Sequence, residues 1–157
     1  MSINQVCVLG AGIMGSGIAQ VTAQAGFNVA LRDIEDDFVN KGLQNIEKNL
    51  KKLVNKDKLD SSTAEEVLNR VTGTTDIKQA AENADLVVEA IVERMDVKKK
   101  VFSELDELCP EQTCIASNTS GLSITEMGAA TSRPEKVIGM HFFNPVRYMR
   151  LLEIIPG

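Results

Sequence analysis

His141 is the only histidine in the chain, and its position makes it the first residue to weigh for chemistry. An imidazole titrates near neutral pH, so it can take and return a proton under physiological conditions. It stands near the end of Val137-Ile138-Gly139-Met140-His141-Phe142, an apolar run that reads as a parallel strand. In doubly wound sheets, ligands bind at the edge formed by the C-terminal ends of such strands. A lone histidine is more often a structural residue with its bonds satisfied than a base, and Glu153 shifts that balance. It interrupts Leu151-Leu152-Glu153-Ile154-Ile155, an apolar strand in which an unpaired carboxylate would be costly. If the two strands are neighbours, Glu153 accepts from one ring nitrogen of His141 and fixes its tautomer. The other nitrogen is then a general acid or base, by the orienting logic of a catalytic triad.

More polar residues should emerge at the same edge. Ser117-Asn118-Thr119-Ser120-Gly121 follows the strand Cys114–Ser117; taken alone it is an ordinary polar turn. Glu89 and Glu93 follow from the strand signal of residues 85–91. A dinucleotide site is legible further upstream. Gly10-Ala11-Gly12-Ile13-Met14-Gly15 lies between the apolar run 3–9 and a helix predicted over 13–25. That strand–turn–helix context raises a weak glycine pattern to a phosphate-binding reading. Gly10 allows the tight turn, Gly12 admits a pyrophosphate, and Gly15 lets helix and strand pack closely. Free N–H groups at the helix start, together with the helix dipole, favour an anion there. A second strand, residues 27–32, ends in Asp33, eighteen residues after Gly15. An acidic residue at about that offset holds the ribose hydroxyls of NAD and repels the 2′-phosphate of NADP. Arg32 is the dissenting neighbour, and its place before Asp33 is read as pointing it to the other side.

The remaining elements follow from periodicity and caps. A long helix is expected over about 37–55, with Phe38, Leu43, Ile46, Leu50, Leu53 and Val54 on its inner face. A short helix begins near Ser62, which with Glu65 fits a capping box. Val71–Thr74 is a short strand. A helix over about 94–108 is expected to bury Val97, Val101, Leu105 and Leu108, and Ser123 with Glu126 caps another. Strands alternating with helices predict an α/β fold: a Rossmann-type, doubly wound, mainly parallel sheet with helices on both faces.

Composition bounds the rest. The chain has 157 residues, one domain in size, with 43% hydrophobic and 25% charged residues. No run approaches the ~18 apolar residues that span a membrane, and no secretory or transit signal is seen at the N-terminus. A net charge of −5 argues against nucleic acid as a partner. Cys7, Cys109 and Cys114 lack metal-ligand spacing and are expected to be free structural thiols of a reducing compartment, taken as the cytoplasm. No metal site is expected. Six lysines crowd residues 41–58 against only Glu47 and Asp57, which taken alone reads as a solvated helix face.

Together, the run Gly10–Gly15, Asp33, Val87-Val88-Glu89-Ala90-Ile91-Val92-Glu93, Ala116-Ser117-Asn118-Thr119-Ser120 and His141-Phe142-Phe143-Asn144-Pro145 closely resemble the NAD-binding domain of L-3-hydroxyacyl-CoA dehydrogenases. The resemblance covers essentially the whole chain. It implies reversible, NAD-dependent oxidation of a 3-hydroxyacyl-CoA, with the bacterial 3-hydroxybutyryl-CoA enzymes as the nearest type. It implies His141 as catalytic base, Glu153 as its partner, Ser120 on the substrate oxygen, and Asn144 positioning substrate and nicotinamide. Gly10, Gly12, Ile13, Met14, Gly15, Asp33, Glu93, Lys98, Ser120 and Asn144 match NAD contacts, and Asn49 and Lys56 match coenzyme A contacts. Because the chain starts at its first strand, the monofunctional type is expected. Because it stops after a strand with no covering helix, residues 1–157 are expected to be an incomplete NAD-binding domain. The family's helical dimerisation domain, and the homo-oligomer it forms, would lie beyond. The chain alone is therefore expected to be weakly active or inactive. Two other readings stay open: a sister dehydrogenase acting on a free hydroxy acid, and a non-catalytic NAD-binding module.

Overall fold

Val6 and Val8 face one way and Cys7 and Leu9 the other, and all four are buried. A strand apolar on both faces must lie inside a sheet covered on both sides, and the computed structural model, which describes residues 2–157, builds that sheet around it. The elements run β1 (Gln5–Leu9), α1 (Ile13–Gln24), β2 (Asn28–Arg32), α2 (Asp36–Asn55), α3 (Ser61–Asn69), β3 (Val71–Thr74), α4 (Ile77–Ala81), β4 (Leu86–Glu89), α5 (Met95–Leu108), β5 (Cys114–Ser117), α6 (Ile124–Gly128), β6 (Val137–Phe142) and β7 (Leu152–Pro156), with a 3₁₀ turn at Pro134–Lys136 before β6. The sheet order is β3-β2-β1-β4-β5-β6-β7. The first six strands are parallel and β7 is antiparallel to β6. The Rossmann-type expectation is met.

Two cores result. Val6, Val8, Ile18, Val29, Leu31, Ile46 and Leu50 pack on one face of the sheet beneath α1, α2 and α3. Cys7, Leu9, Val87, Phe102, Leu105, Ile115 and Met127 pack on the other beneath α4, α5 and α6. The chain winds outward from β1 to β3 and then returns to lay β4 on the other side of β1. Between β1 and β4 the winding reverses, and that reversal opens a crevice at the C-terminal ends of the strands.

Four details differ from expectation. The cap of α3 is Asp60, which accepts from the Thr63 N–H at 2.8 Å and from the Ser62 hydroxyl at 2.6 Å. Ser62 thus serves the cap instead of being it. Phe38 is 41% exposed, and Val39, Gly42, Ile46, Asn49 and Leu50 form the buried face of α2. The buried face of α5 is Lys98, Phe102 and Leu105, with Val97, Val101 and Leu108 only half-buried. The last strand is exposed along its whole length and begins one residue later than expected.

The three cysteines are free. Burial pushes the Cys7 thiol far above its usual range and that of Cys109 to about 11; it raises Cys114 as well. Among the described residues no helix is long and apolar enough to cross a membrane. Among the described residues no cluster of His, Cys, Asp or Glu is arranged to hold a metal ion.

Candidate active site at the sheet edge

The glycine turn forms the middle of the crevice. Gly10 has φ +95°, and a Cβ there would stand 2.4 Å from the Ala90 carbonyl oxygen, so only glycine fits where the β1 and β4 turns meet. A Cβ on Gly15 would collide with the Gly10 carbonyl. A Cβ on Gly12 would meet nothing within 4 Å. The open space is therefore at Gly12, the position where a pyrophosphate needs the backbone bare. Helix α1 starts there with no side-chain cap and no acidic residue in its first turn. Its unpaired N–H groups are left for an anion.

Asp33 follows β2 at the side of this turn. Its carboxylate accepts from the N–H of Ala11 and of Ile34, both at 2.7 Å. It thus ties down the glycine turn and keeps lone pairs for a further donor. Beside it lies a mainly apolar hollow of about 500 Å³, bordered by Gly10, Gly12, Ile34, Phe38, Lys41 and Val101 among others. The exposed face of Phe38 is accounted for by this hollow. Arg32 also borders it, so it is not turned wholly away, although its Nε–H donates to the Thr75 carbonyl at 3.1 Å.

Across the crevice a second cavity, about 370 Å³, is lined by Met14, Glu93, Lys98, Ser120, His141 and Asn144, among others. Strands β6 and β7 place His141 opposite Glu153 in register, and the two side chains meet with Nδ1 and Oε2 2.9 Å apart. The carboxylate can only accept, so Nδ1–H donates and Nε2 is left as the acceptor nitrogen of a residue that lines the cavity. Phe143 packs against the imidazole with ring centroids 4.5 Å apart. Ser120 is exposed at the cavity wall.

The cavity floor is a buried network. Glu89 ends β4, fully buried, and its Oε1 accepts from Lys98 Nζ at 2.5 Å and from the Ile91 N–H at 2.7 Å. Its Oε2 accepts from the Ser117 hydroxyl at 2.7 Å. Lys98 also reaches Glu93 at 3.3 Å, and Glu93 accepts from the Thr119 hydroxyl. Burial pushes the Glu93 carboxyl up, but the Thr119 hydroxyl and the Lys98 ammonium outweigh it and hold the group below the usual range. Asn118 joins the strand ends: its N–H donates to the Glu89 carbonyl, and its side-chain oxygen accepts from the Phe142 N–H.

The structure therefore gathers His141, Ser120, Asn144, Glu93, Lys98 and Met14 at one cavity, with Glu153 joined to it through His141, and Gly10, Gly12 and Asp33 at the other. Ile13 and Asn49 lie apart, around a small hollow of about 50 Å³ that also touches Asn144 and Arg147. Lys56 caps the C-terminal end of α2 and is exposed, outside all three. Sequence reasoning missed Thr119, Phe143 and the Arg147–Tyr148 pair. The Arg147 guanidinium lies 4.7 Å from the centre of the Tyr148 ring. Arg147, with Lys56 and Lys58 contributing, lowers the Tyr148 phenol. The sequence signal was there in the adjacent Arg147 and Tyr148 after Pro145, but nothing in it pointed back to α2.

Residues 5–157 match the family model described as the NAD-binding domain of 3-hydroxyacyl-CoA dehydrogenase. The chain is 49% identical over 153 residues to the 3-hydroxybutyryl-CoA dehydrogenase of Clostridioides difficile, covering 98% of this chain and 54% of that protein. It is 43% identical to the 3-hydroxyadipyl-CoA dehydrogenase of Escherichia coli, covering all of this chain and 33% of that one. The crystal structure of (S)-3-hydroxybutyryl-CoA dehydrogenase from Ralstonia eutropha superimposes with a TM-score of 0.96 at 44% identity, over 99% of this chain and 55% of that chain. The chain thus spans about half the length of these bacterial 3-hydroxybutyryl-CoA relatives.

Proposed function

This chain belongs to the 3-hydroxyacyl-CoA dehydrogenase family, as its NAD-binding domain, and on that footing we propose that it serves the reversible oxidation of a 3-hydroxyacyl-CoA to the 3-ketoacyl-CoA. NAD is the cofactor, and the bare turn at Gly12 and the tethered Asp33 fit it. When bound it supplies the acceptor for the hydride that leaves C3.

The observation that carries the reading is the His141–Glu153 pair, with His141 lining the same cavity as Ser120 and Asn144. His141 takes the substrate hydroxyl proton on Nε2 as C3 loses its hydride and the C–O bond becomes a carbonyl. Glu153 stabilises the imidazolium that forms. Ser120 holds the substrate oxygen, and Asn144 positions it against the nicotinamide. Glu93 and Lys98 border the nicotinamide end of the cofactor, and residues 10–15 with Asp33 hold the rest.

The substrate class is read as a coenzyme A ester of a short 3-hydroxy acid, with 3-hydroxybutyryl-CoA first. Asn49 and Lys56, with the basic character that Arg147 and Lys58 add, are the residues we assign to the coenzyme. The additional length of the relatives is where we place a helical domain that covers exposed β7, closes over substrate and forms the oligomer. The 157 residues alone are accordingly expected to turn over slowly or not at all. Three free thiols fit a reducing compartment, and we place the protein in the cytoplasm. The test is oxidation of NADH by the full-length protein with acetoacetyl-CoA, set beside free 3-keto acids. Turnover of the ester alone is expected; equal turnover of the free acid would discard the coenzyme reading.

A further inference from the structure

Two residues of the buried network look over-provided for a merely structural role. Lys98 and Glu89 are 1% and 0% exposed, and taking two such groups out of water costs several kcal/mol per ion. A hydrophobic pair of the same volume would close that core as well or better. The network also does not balance its charge: Lys98 is shared between Glu89 and Glu93, so one ammonium answers two carboxylates. Because Lys98 and Glu93 line the cavity that contains His141, the excess negative charge lies against the end of the crevice where hydride is exchanged.

We propose that Glu89 is a positioning residue that sets the preference of this site for the oxidised cofactor. Through Lys98, Ser117 and the Ile91 N–H it fixes the cavity floor, and with Glu93 it leaves that floor one negative charge in excess. The inference rests on NAD as cofactor and on its nicotinamide lying next to His141. The oxidised ring is cationic and the reduced ring is neutral. A fixed negative floor therefore favours the oxidised form, and its low-dielectric setting makes the effect larger than at an exposed surface. Glu153 stands behind His141 and is not part of the floor, so its contribution is unchanged when the floor is altered.

Titration of the full-length protein with NAD+ and with NADH, by calorimetry and by NADH fluorescence, separates charge from scaffolding. Glu89→Gln keeps the shape and two of the three contacts, and it is expected to weaken NAD+ binding about tenfold while NADH binding changes less than about twofold. Glu93→Gln makes the same charge change from a half-exposed position and is expected to act in the same direction. It also decides the matter if Glu89→Gln does not fold. Ser117→Ala removes the hydroxyl that anchors Glu89 but alters no charge, so it should weaken both forms equally. Equal losses for NAD+ and NADH in the glutamine variants would overturn the proposal and leave the cofactor assignment intact. Failure of the unsubstituted protein to bind either form would sink both.

Discussion

Two carboxylates, each paired with a basic side chain, stand at the C-terminal edge of this sheet, and the pairs are built on opposite plans. Glu89–Lys98 is closed off from water at 0% and 1% exposure, while Glu153–His141 is open at 49% and 19%. The first carries three donors on one carboxylate and joins β4, β5 and α5. The second is a single contact across one strand pair. A buried pair holds its charges fixed because neither partner is stable alone in low dielectric. An open pair leaves its imidazole within reach of a bound molecule, as the base role proposed for His141 requires. Permanence and exchange are divided between neighbouring strands.

The largest effect should come from cutting the closed pair. Glu89→Ala leaves Lys98 without its nearest counter-charge, and about 3–5 kcal/mol of unfolding free energy should be lost in urea denaturation. A change under about 1 kcal/mol would mean the pair is not holding the edge together. Next is the open pair: His141→Ala in the full-length protein should lower kcat by about a hundredfold or more and leave the urea midpoint nearly unmoved. Glu153→Gln should be milder, about tenfold in kcat, with stability changed by less than about 1 kcal/mol because the site is half in water. A loss of stability as large as that of Glu89→Ala would erase the distinction between the two plans.

The smallest effect lies away from both. The N–H groups of Gln5 and Asn4 hold the Asp85 carboxyl below its usual range, and the Ser62 hydroxyl and Thr63 N–H do the same for Asp60. A group lowered on folding contributes stability above its unfolded pKa, near 4, and that contribution is lost as pH falls through the folded value. Thermal midpoints should therefore slip gradually below about pH 4, and Asp85→Asn should flatten that slope. An unchanged slope would remove Asp85 from the acid response.

Much of this arrangement was legible beforehand, for reasons that differ by residue. The strands β1, β4, β5 and β6 are runs apolar on both faces, and only a covered parallel sheet accommodates them. His141 and Glu153 could be paired because a lone polar residue in each of two apolar strands asks for the other. Lys98 came to the site only through the family resemblance, because a periodicity argument sends lysine outward; here the Glu89 carboxylate draws it in. Phe38 failed in reverse, an apolar residue facing the hollow beside Asp33 instead of the core. Nor does a strand pattern carry direction. β7 is antiparallel because residues 143–151 are too few to bring the chain back across the sheet, which takes a dozen or more. The Asp60 cap was missed because Ser62 and Glu65 offer a competing motif two residues on.

The antiparallel register of β6 and β7 makes the acid–base pair sensitive to one kind of genetic change above others. His141 faces Glu153 because they are partners in a ladder whose side chains alternate sides. Losing a residue from the loop 143–151 shortens a connection that can re-form. Losing one from β7 just beyond Glu153, with the residues after it keeping their places in the ladder, sends the carboxylate to the opposite face while both side chains survive. Over the history of such a chain, changes of length in the loop are negotiable, whereas a change of length within the strand parts His141 from Glu153 in one step.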